Sequence, residues 1–428
     1  MSFTFFWLLL VLMIAGLPIA FALMIAPGIS LFFDGQQSMF PMLLMRMYNG
    51  MDSFPLMAIP YFILAGEVMN RGGITTRLVR LSQALIGHLR GGLAHVNILS
   101  SILFAGLSGS AVADTSAIGS MLIPAMEKNG YTKRFSAAVT AASSVIGPII
   151  PPSGIMIIYA FVMNVSVAGL FAAGLVPGLM VGFSLMGMTV YLSKKRNYPV
   201  ASQRASFNEV FISFKGAILP LLTPIIILGG ILAGIFTPTE AAAIAAGYAI
   251  LISVFVLRTL NFKDIPKVLF NAALSSGMIL FLVGASTAFA TLVSLTGTAP
   301  KAMDIMNSIS QNPLVLLFLV NLLLFFVGMF LDAGPAILIL GPVLGPTFIG
   351  MGVDPLHFAI IMCVNVTVGL ATPPMGLILF VAAGLSDEPV EKIAWEMLPF
   401  LAIEIIVIFL ITFVEAIPMT LPRLLGFA

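Results

Sequence analysis

The sequence predicts an all-α polytopic membrane protein built on inverted structural repeats, each with a re-entrant helical hairpin and a discontinuous transmembrane helix. Three observations carry that expectation: composition, the spacing of apolar runs, and a pair of Pro-Pro motifs at matched positions. Hydrophobic residues are 60% of the 428-residue chain and charged residues 8%, against roughly 45–50% and 25% in soluble domains. Mean hydropathy is +1.13, and 19 basic plus 17 acidic side chains cannot cover a soluble body of this length. The net charge of +2 carries no nucleic-acid footprint. The lone Cys363 excludes an internal disulfide framework, and His88, His95 and His357 are too scattered for a metal cage. No prosthetic group is expected.

Apolar runs near the ~20 residues needed to cross hydrocarbon fall at about 5–25, 54–70, 135–165, 169–192, 216–236, 241–257, 268–296, 357–385 and 397–421. The first lacks a preceding basic stretch and reads as a retained span, not a cleaved signal. Two further stretches, 92–126 and 313–348, break at Gly106-Leu-Ser-Gly-Ser110 and at Gly328-Met-Phe-Leu-Asp332. Each half is short, which predicts hairpins that return to their own side. That reading gathers sixteen Lys and Arg residues on one face and leaves Arg46, Lys301 and Arg423 on the other. By the positive-inside rule the N-terminus is then cytoplasmic and the C-terminus lies outside. Residues 74–89 put Ile74, Leu78, Leu81, Leu85 and Leu89 on one face, as an interfacial helix would.

Pro151-Pro152-Ser-Gly154 and Pro373-Pro374-Met-Gly376 lie 222 residues apart. Sliding 104–179 by that offset without a gap gives 16 identities in 76 positions, nine of them Gly or Pro. Shared apolar composition inflates Leu and Ala matches, not matches between backbone breakers. Five crossings separate equivalent points, so the second unit is inverted, an arrangement typical of secondary transporters.

Unwound backbone survives in lipid only where it lines a cavity or binds something. Each proline removes a donor and disfavours helix in the residue before it, freeing carbonyls near Gly147, Ile150, Gly369 and Thr372. Freed carbonyls suit a small hard cation, and facing half-helix N-termini suit a carboxylate. The predicted cation cages are Gly106, Gly147, Ile150 and Ser153 in one unit, and Gly328, Gly369, Thr372 and Met375 in the other. The predicted substrate contacts are Ser108, Ser110, Ser153 and Asp332. The repeat sets Asp332 against Ser110 and Met375 against Ser153, so the scaffold is symmetric while the side chains diverge. Asp114 is readable as a helix cap or a buried carboxylate, and Glu67, Glu240, Glu404 and Glu415 as relays or interfacial anchors.

At these residues the chain resembles the large membrane subunit of tripartite ATP-independent periplasmic (TRAP) transporters, the DctM-like family. The motifs are Gly109-Ser-Ala-Val-Ala-Asp-Thr-Ser-Ala-Ile-Gly119, Gly147-Pro-Ile-Ile-Pro-Pro-Ser153, Leu170-Phe-Ala-Ala-Gly-Leu-Val-Pro-Gly178, Gly352-Val-Asp-Pro-Leu-His-Phe358 and Thr372-Pro-Pro-Met-Gly376. The resemblance implies an elevator-type transport domain moving against a scaffold. It also implies Na+-coupled uptake of an organic acid, such as a C4-dicarboxylate or sialic acid, delivered by a periplasmic substrate-binding protein. A small TRAP membrane subunit should accompany it, and with no such segment before Met1 a separate chain is expected. On this reading 1–91 is N-terminal scaffold with the interfacial helix, and 92–192 is the first repeat core. Residues 193–312 are connecting scaffold, and 313–428 are the second core with the C-terminal span.

Three alternatives compete. Gly106-Leu-Ser-Gly109 matches the G-x-S-G of intramembrane serine proteases, which would need a histidine base at Ser108. An ATP-driven permease would need a partner ATPase, because no G-x-x-x-x-G-K-[S/T] occurs. A stand-alone sodium/carboxylate symporter of related fold would work without a binding protein.

Overall fold

The computed structural model describes residues 4–199 and 204–428, and every regular element among them is helical. Seven helices are long and apolar enough to cross a membrane by length and composition, and a bent pair around 149–154 can make an eighth.

The N-terminal part comprises α1 (Thr4–Ile14), α2 (Ile19–Phe33), α3 (Phe40–Met51), α4 (Ala58–Arg71) and α5 (Ile74–Ile86). The single span expected over 5–25 is instead two short helices packed on each other. Gly16 takes φ +84° and Pro18 precedes α2, so the chain turns inside an apolar run. One crossing therefore cannot be counted there. The amphipathic helix is present as α5, with Ile74, Leu78 and Leu81 buried. Leu85 and Leu89, expected on the same face, are exposed, and Leu89 lies beyond the helix end at Ile86.

The first unit runs α6 (Gly92–Ser108), α7 (Ala111–Lys128), α8 (Lys133–Ser144), α9 (Ile146–Ile149), α10 (Gly154–Met163) and α11 (Val167–Lys195). Next come α12 (Phe207–Leu232), α13 (Pro238–Leu251), α14 (Ile265–Leu295) and α15 (Thr298–Ile309). The second unit runs α16 (Pro313–Phe330), α17 (Ala333–Gly350), α18 (Pro355–Gly369), α19 (Leu377–Ser386), α20 (Val390–Phe413) and α21 (Ala416–Leu424). Shifted by 222, both ends of α7 land on the ends of α17, and the last residue of α6 on that of α16. The first residue of α8 likewise lands on that of α18. The hairpin halves are longer than their sequence suggested. At 1.5 Å per residue, the 18-residue α16 and α17 each pass the length test for a span, and only Leu331 and Asp332 separate them.

Packing sorts the helices into two groups. α14 lies along α2, α3 and α4, and α4 also packs on α13, which meets α12. The largest core joins α6 through α11 to α16 through α20 and also takes in side chains of α4, α12, α13 and α14. The groups meet where α5 and α4 touch α6, and where α14 and α15 touch α17.

Several carboxylates have structural employment. Glu240 completes a capping box with Thr237, and Glu209 one with Ser206. Glu67 pairs with Arg71 at 2.8 Å and accepts from Asn271 at 3.1 Å. Glu415 pairs with Arg423. Glu404, in α20, is fully buried with neither oxygen hydrogen bonded.

Candidate functional site

Each hairpin tip packs against the break of its own unit. In the first, Gly109 ends α6 in the left-handed region (φ +59°), and a Cβ there would lie 3.0 Å from the Pro152 carbonyl oxygen. A Cβ on Gly106 would meet the Pro224 ring at 2.8 Å, with the Pro151 carbonyl at 3.7 Å. Glycine at both positions lets hairpin backbone reach break backbone. Ser153 then knits the break together: its hydroxyl donates to the Pro148 carbonyl at 2.5 Å and accepts from the Met156 N–H at 3.4 Å. The side chain is fully buried and N-caps α10.

Asp114 is the residue this packing promotes. It lies in the first turn of α7, fully buried. One oxygen accepts from the Ser108 hydroxyl, whose oxygen also accepts from the Ser110 N–H at 3.3 Å. The other oxygen, Oδ2, has no hydrogen-bond partner among the described residues. A Cβ on Gly147 would fall on that oxygen. Gly147 therefore opens the break to a carboxylate from the hairpin. An unpaired carboxylate oxygen in a dry interior is costly, and a cation beside it relieves that cost. Sequence gave Asp114 two readings, and the signal that chooses between them is contact with Gly147, which spacing does not reveal.

The second unit has a different interior. Gly328 and Gly369 touch backbone to backbone: a Cβ on Gly328 would lie 2.9 Å from the Val366 carbonyl and 3.0 Å from the Gly369 Cα. The Gly376 N–H donates to the Met329 carbonyl at 3.1 Å, so the break is tied to the tip. Gly376 takes φ +41°, where a Cβ would come 2.8 Å from the Thr372 carbonyl and 3.1 Å from that of Leu370. The carbonyls of Met329, Val366, Leu370 and Thr372 thus crowd these glycines, with that of Leu370 accepting from the Ile378 N–H at 3.1 Å. Thr372 is buried, and its hydroxyl donates to Val368 O at 2.9 Å, leaving the oxygen lone pairs available. Asp332 N-caps α17, accepting from the Ala333 N–H at 2.8 Å.

Ser108, Ser110, Ser153, Gly106 and Gly147 are thus brought together, and Gly328, Gly369 and Thr372 form the second group. Ile150 presents an extended backbone at the end of α9 while its side chain packs on Gly178. Met375 is 48% exposed, at the edge of its group. The two groups approach through α10 and α17, which pack together, with Gly334 of the second tip facing Ile158.

Buried polar clamps hold each hairpin to its broken helix. In the first unit Asn97 donates to Thr140 at 2.6 Å, Ser143 donates to Asn97 at 3.1 Å, and Ser101 donates to Ser143 at 2.9 Å. In the second, Asn365 donates to Asn321 at 2.6 Å, and Thr412 of α20 donates to the same oxygen at 3.1 Å. Asn365 is the offset partner of Ser143, a correspondence that identity matching passed over.

Residues 6–417 match the family model of the tripartite ATP-independent periplasmic transporter, DctM component. The chain is 39% identical over 413 residues to the sialic acid TRAP transporter large permease protein SiaM of Vibrio cholerae, covering 96% of each. It is 36% identical over 435 residues to the C4-dicarboxylate TRAP transporter large permease protein DctM of Rhodobacter capsulatus, covering 98% of each. In fold it is similar to the YdaH transporter of Alcanivorax borkumensis, with a TM-score of 0.66 at 16% identity, over 89% of this chain and 88% of that one. A hairpin-and-break core, a multi-pass helical body and a match along nearly the whole chain converge: this protein belongs to the DctM family, the large membrane component of TRAP transporters.

Proposed function

We propose that this subunit couples inward sodium flow to uptake of an organic acid handed over by a periplasmic binding protein, with a small membrane subunit as its partner. The observation that carries the sodium reading is the buried, unpartnered Asp114 oxygen set against Gly147, with a second cage of carbonyls around Thr372. Asp114 with backbone carbonyls of the first break would hold one ion, and Thr372 with those of the second break another. Sodium supplies positive charge that a carboxylate substrate needs in a low-dielectric site. The names of relatives, for sialic acid and for C4-dicarboxylate, support a carboxylate cargo.

The two units form an inverted pair in this reading, and the cores at 92–192 and 313–428 move as an elevator against the remaining helices. Support comes from element boundaries that coincide under a shift of 222 and from the packing of α14 along α2, α3 and α4. The basic face is cytoplasmic, in the inner membrane, with the C-terminus outside. The relatives are transporter permeases, not enzymes. The Ser108 hydroxyl, the nucleophile of the protease alternative, is engaged by Asp114 rather than by a histidine. Uptake into proteoliposomes holding the assembled transporter and its binding protein tests the reading. Uptake should stop when external sodium is replaced by choline, and the subunit alone should carry almost none. Persistent uptake in choline sinks the coupling; uptake by the subunit alone favours the stand-alone symporter.

A further inference from the structure

Two cavities share the same three helices, α5, α6 and α12, and differ completely in lining. One, of about 530 Å³, lies at the basic face and presents Arg80, His88 and Arg204. Its single carboxylate, Glu209, is committed to the α12 capping box, accepting from the Ser206 N–H at 2.7 Å and its hydroxyl at 3.1 Å. The other, about 410 Å³, is walled by apolar side chains alone, among them Leu85, Leu103, Phe211 and Phe214. Along α5, Arg80 and Ala84 face the first cavity, and Leu81 and Leu85 the second. The pair therefore offers a cationic rim and a dry groove side by side. Phe207 and Phe211 stand more than half exposed beside it.

We propose that this junction holds an anionic phospholipid of the leaflet on the basic face, its phosphate between Arg80 and Arg204 and an acyl chain in the apolar groove. Charge complementarity selects this occupant. A guanidinium fork matches phosphate oxygens, and the groove takes a chain with no polar group to satisfy. An apolar helix of another polypeptide would cover the groove and leave both guanidiniums unmatched. The site lies where α5 passes from the α4 side of the molecule to the first hairpin, so its occupant touches both packing groups.

Native mass spectrometry of the detergent-purified subunit, given phosphatidylglycerol or phosphatidylcholine, tests this without reference to transport. Retained phosphatidylglycerol should exceed phosphatidylcholine, and Arg80→Gln with Arg204→Gln should weaken it about thirty-fold, taking about 1 kcal/mol per basic residue. Leu85→Trp, which fills the groove while keeping both arginines, should displace the same lipid. Inorganic phosphate at equal concentration should not compete, which separates a lipid from a free anion. Equal retention of both lipids, or of phosphatidylglycerol by wild type and both variants, overturns the proposal. So does a photo-crosslinker at Phe211, used in membranes, that captures a polypeptide and no lipid.

Discussion

The two breaks share a backbone and almost nothing else. At the first, Ile150 through Ser153 are buried, a serine hydroxyl bridges the gap, and a carboxylate from the hairpin enters beside Gly147. At the second, the hairpin brings only glycine backbone to Gly369, no carboxylate enters beside it, and Pro374 and Met375 are exposed. A cavity of about 570 Å³ opens there on Pro373, Pro374, Phe380 and Trp395. The matched scaffold supplies carbonyls in both places. The hairpin carboxylate lies at the first break, and the open cavity, with Glu391 in its wall, lies at the second.

The strongest test removes the charge. Asp114→Asn keeps size while deleting the carboxylate, and the sodium concentration for half-maximal uptake should rise about a hundredfold or more, since breaking a buried charge pair costs about 3–5 kcal/mol. An unchanged sodium curve would leave Asp114 as a structural partner of Ser108, since Ser110 and not Asp114 caps α7. Next comes Gly147→Ala, whose methyl would displace the same carboxylate. A rise of about tenfold in the sodium requirement is expected, with less thermal destabilisation than Gly369→Ala. The latter pushes backbone from backbone, where no side chain can yield, and overpacking of this kind costs about 1–3 kcal/mol. Equal behaviour of the two variants would erase the distinction between the breaks.

Asp332→Asn should raise the substrate concentration for half-maximal uptake about tenfold and leave the sodium curve in place, because Asp332, which caps α17 at the hairpin tip, is assigned to the substrate and not to a cation cage. A shift in sodium dependence instead would make it a cation ligand. The smallest effect is expected of Thr372→Val, which loses one hydroxyl ligand of a cage otherwise made of carbonyls. A rise of about fivefold in the sodium requirement corresponds to the ~1 kcal/mol of one polar contact. A larger effect than that of Asp114→Asn would invert the comparison.

Much of this was legible in the chain. Both hairpin tips, both breaks and the 222-residue correspondence follow from Gly and Pro, whose effect on backbone is intrinsic and survives any tertiary context. The same punctuation stood at Gly16 and Pro18, but an apolar run there hid the turn between α1 and α2. The hairpin halves are longer than hydropathy suggests because it fades toward the polar tip, while α6 stays helical up to Ser108 and α7 resumes at Ala111.

Composition and the spacing of apolar runs by themselves determined a polytopic helical body, and the Pro-Pro motifs marked two breaks in its helices. Those are properties of residues taken singly or at a fixed separation. The employment of side chains was decided only when the chain folded. Asp114 became a half-paired buried carboxylate because α7 lies across the first break, and Asn365 met Asn321 across two helices. Each outcome depends on which backbone comes within a few ångströms of a polar atom in a place without water. Contacts between residues distant in the chain set that, and no local pattern encodes them.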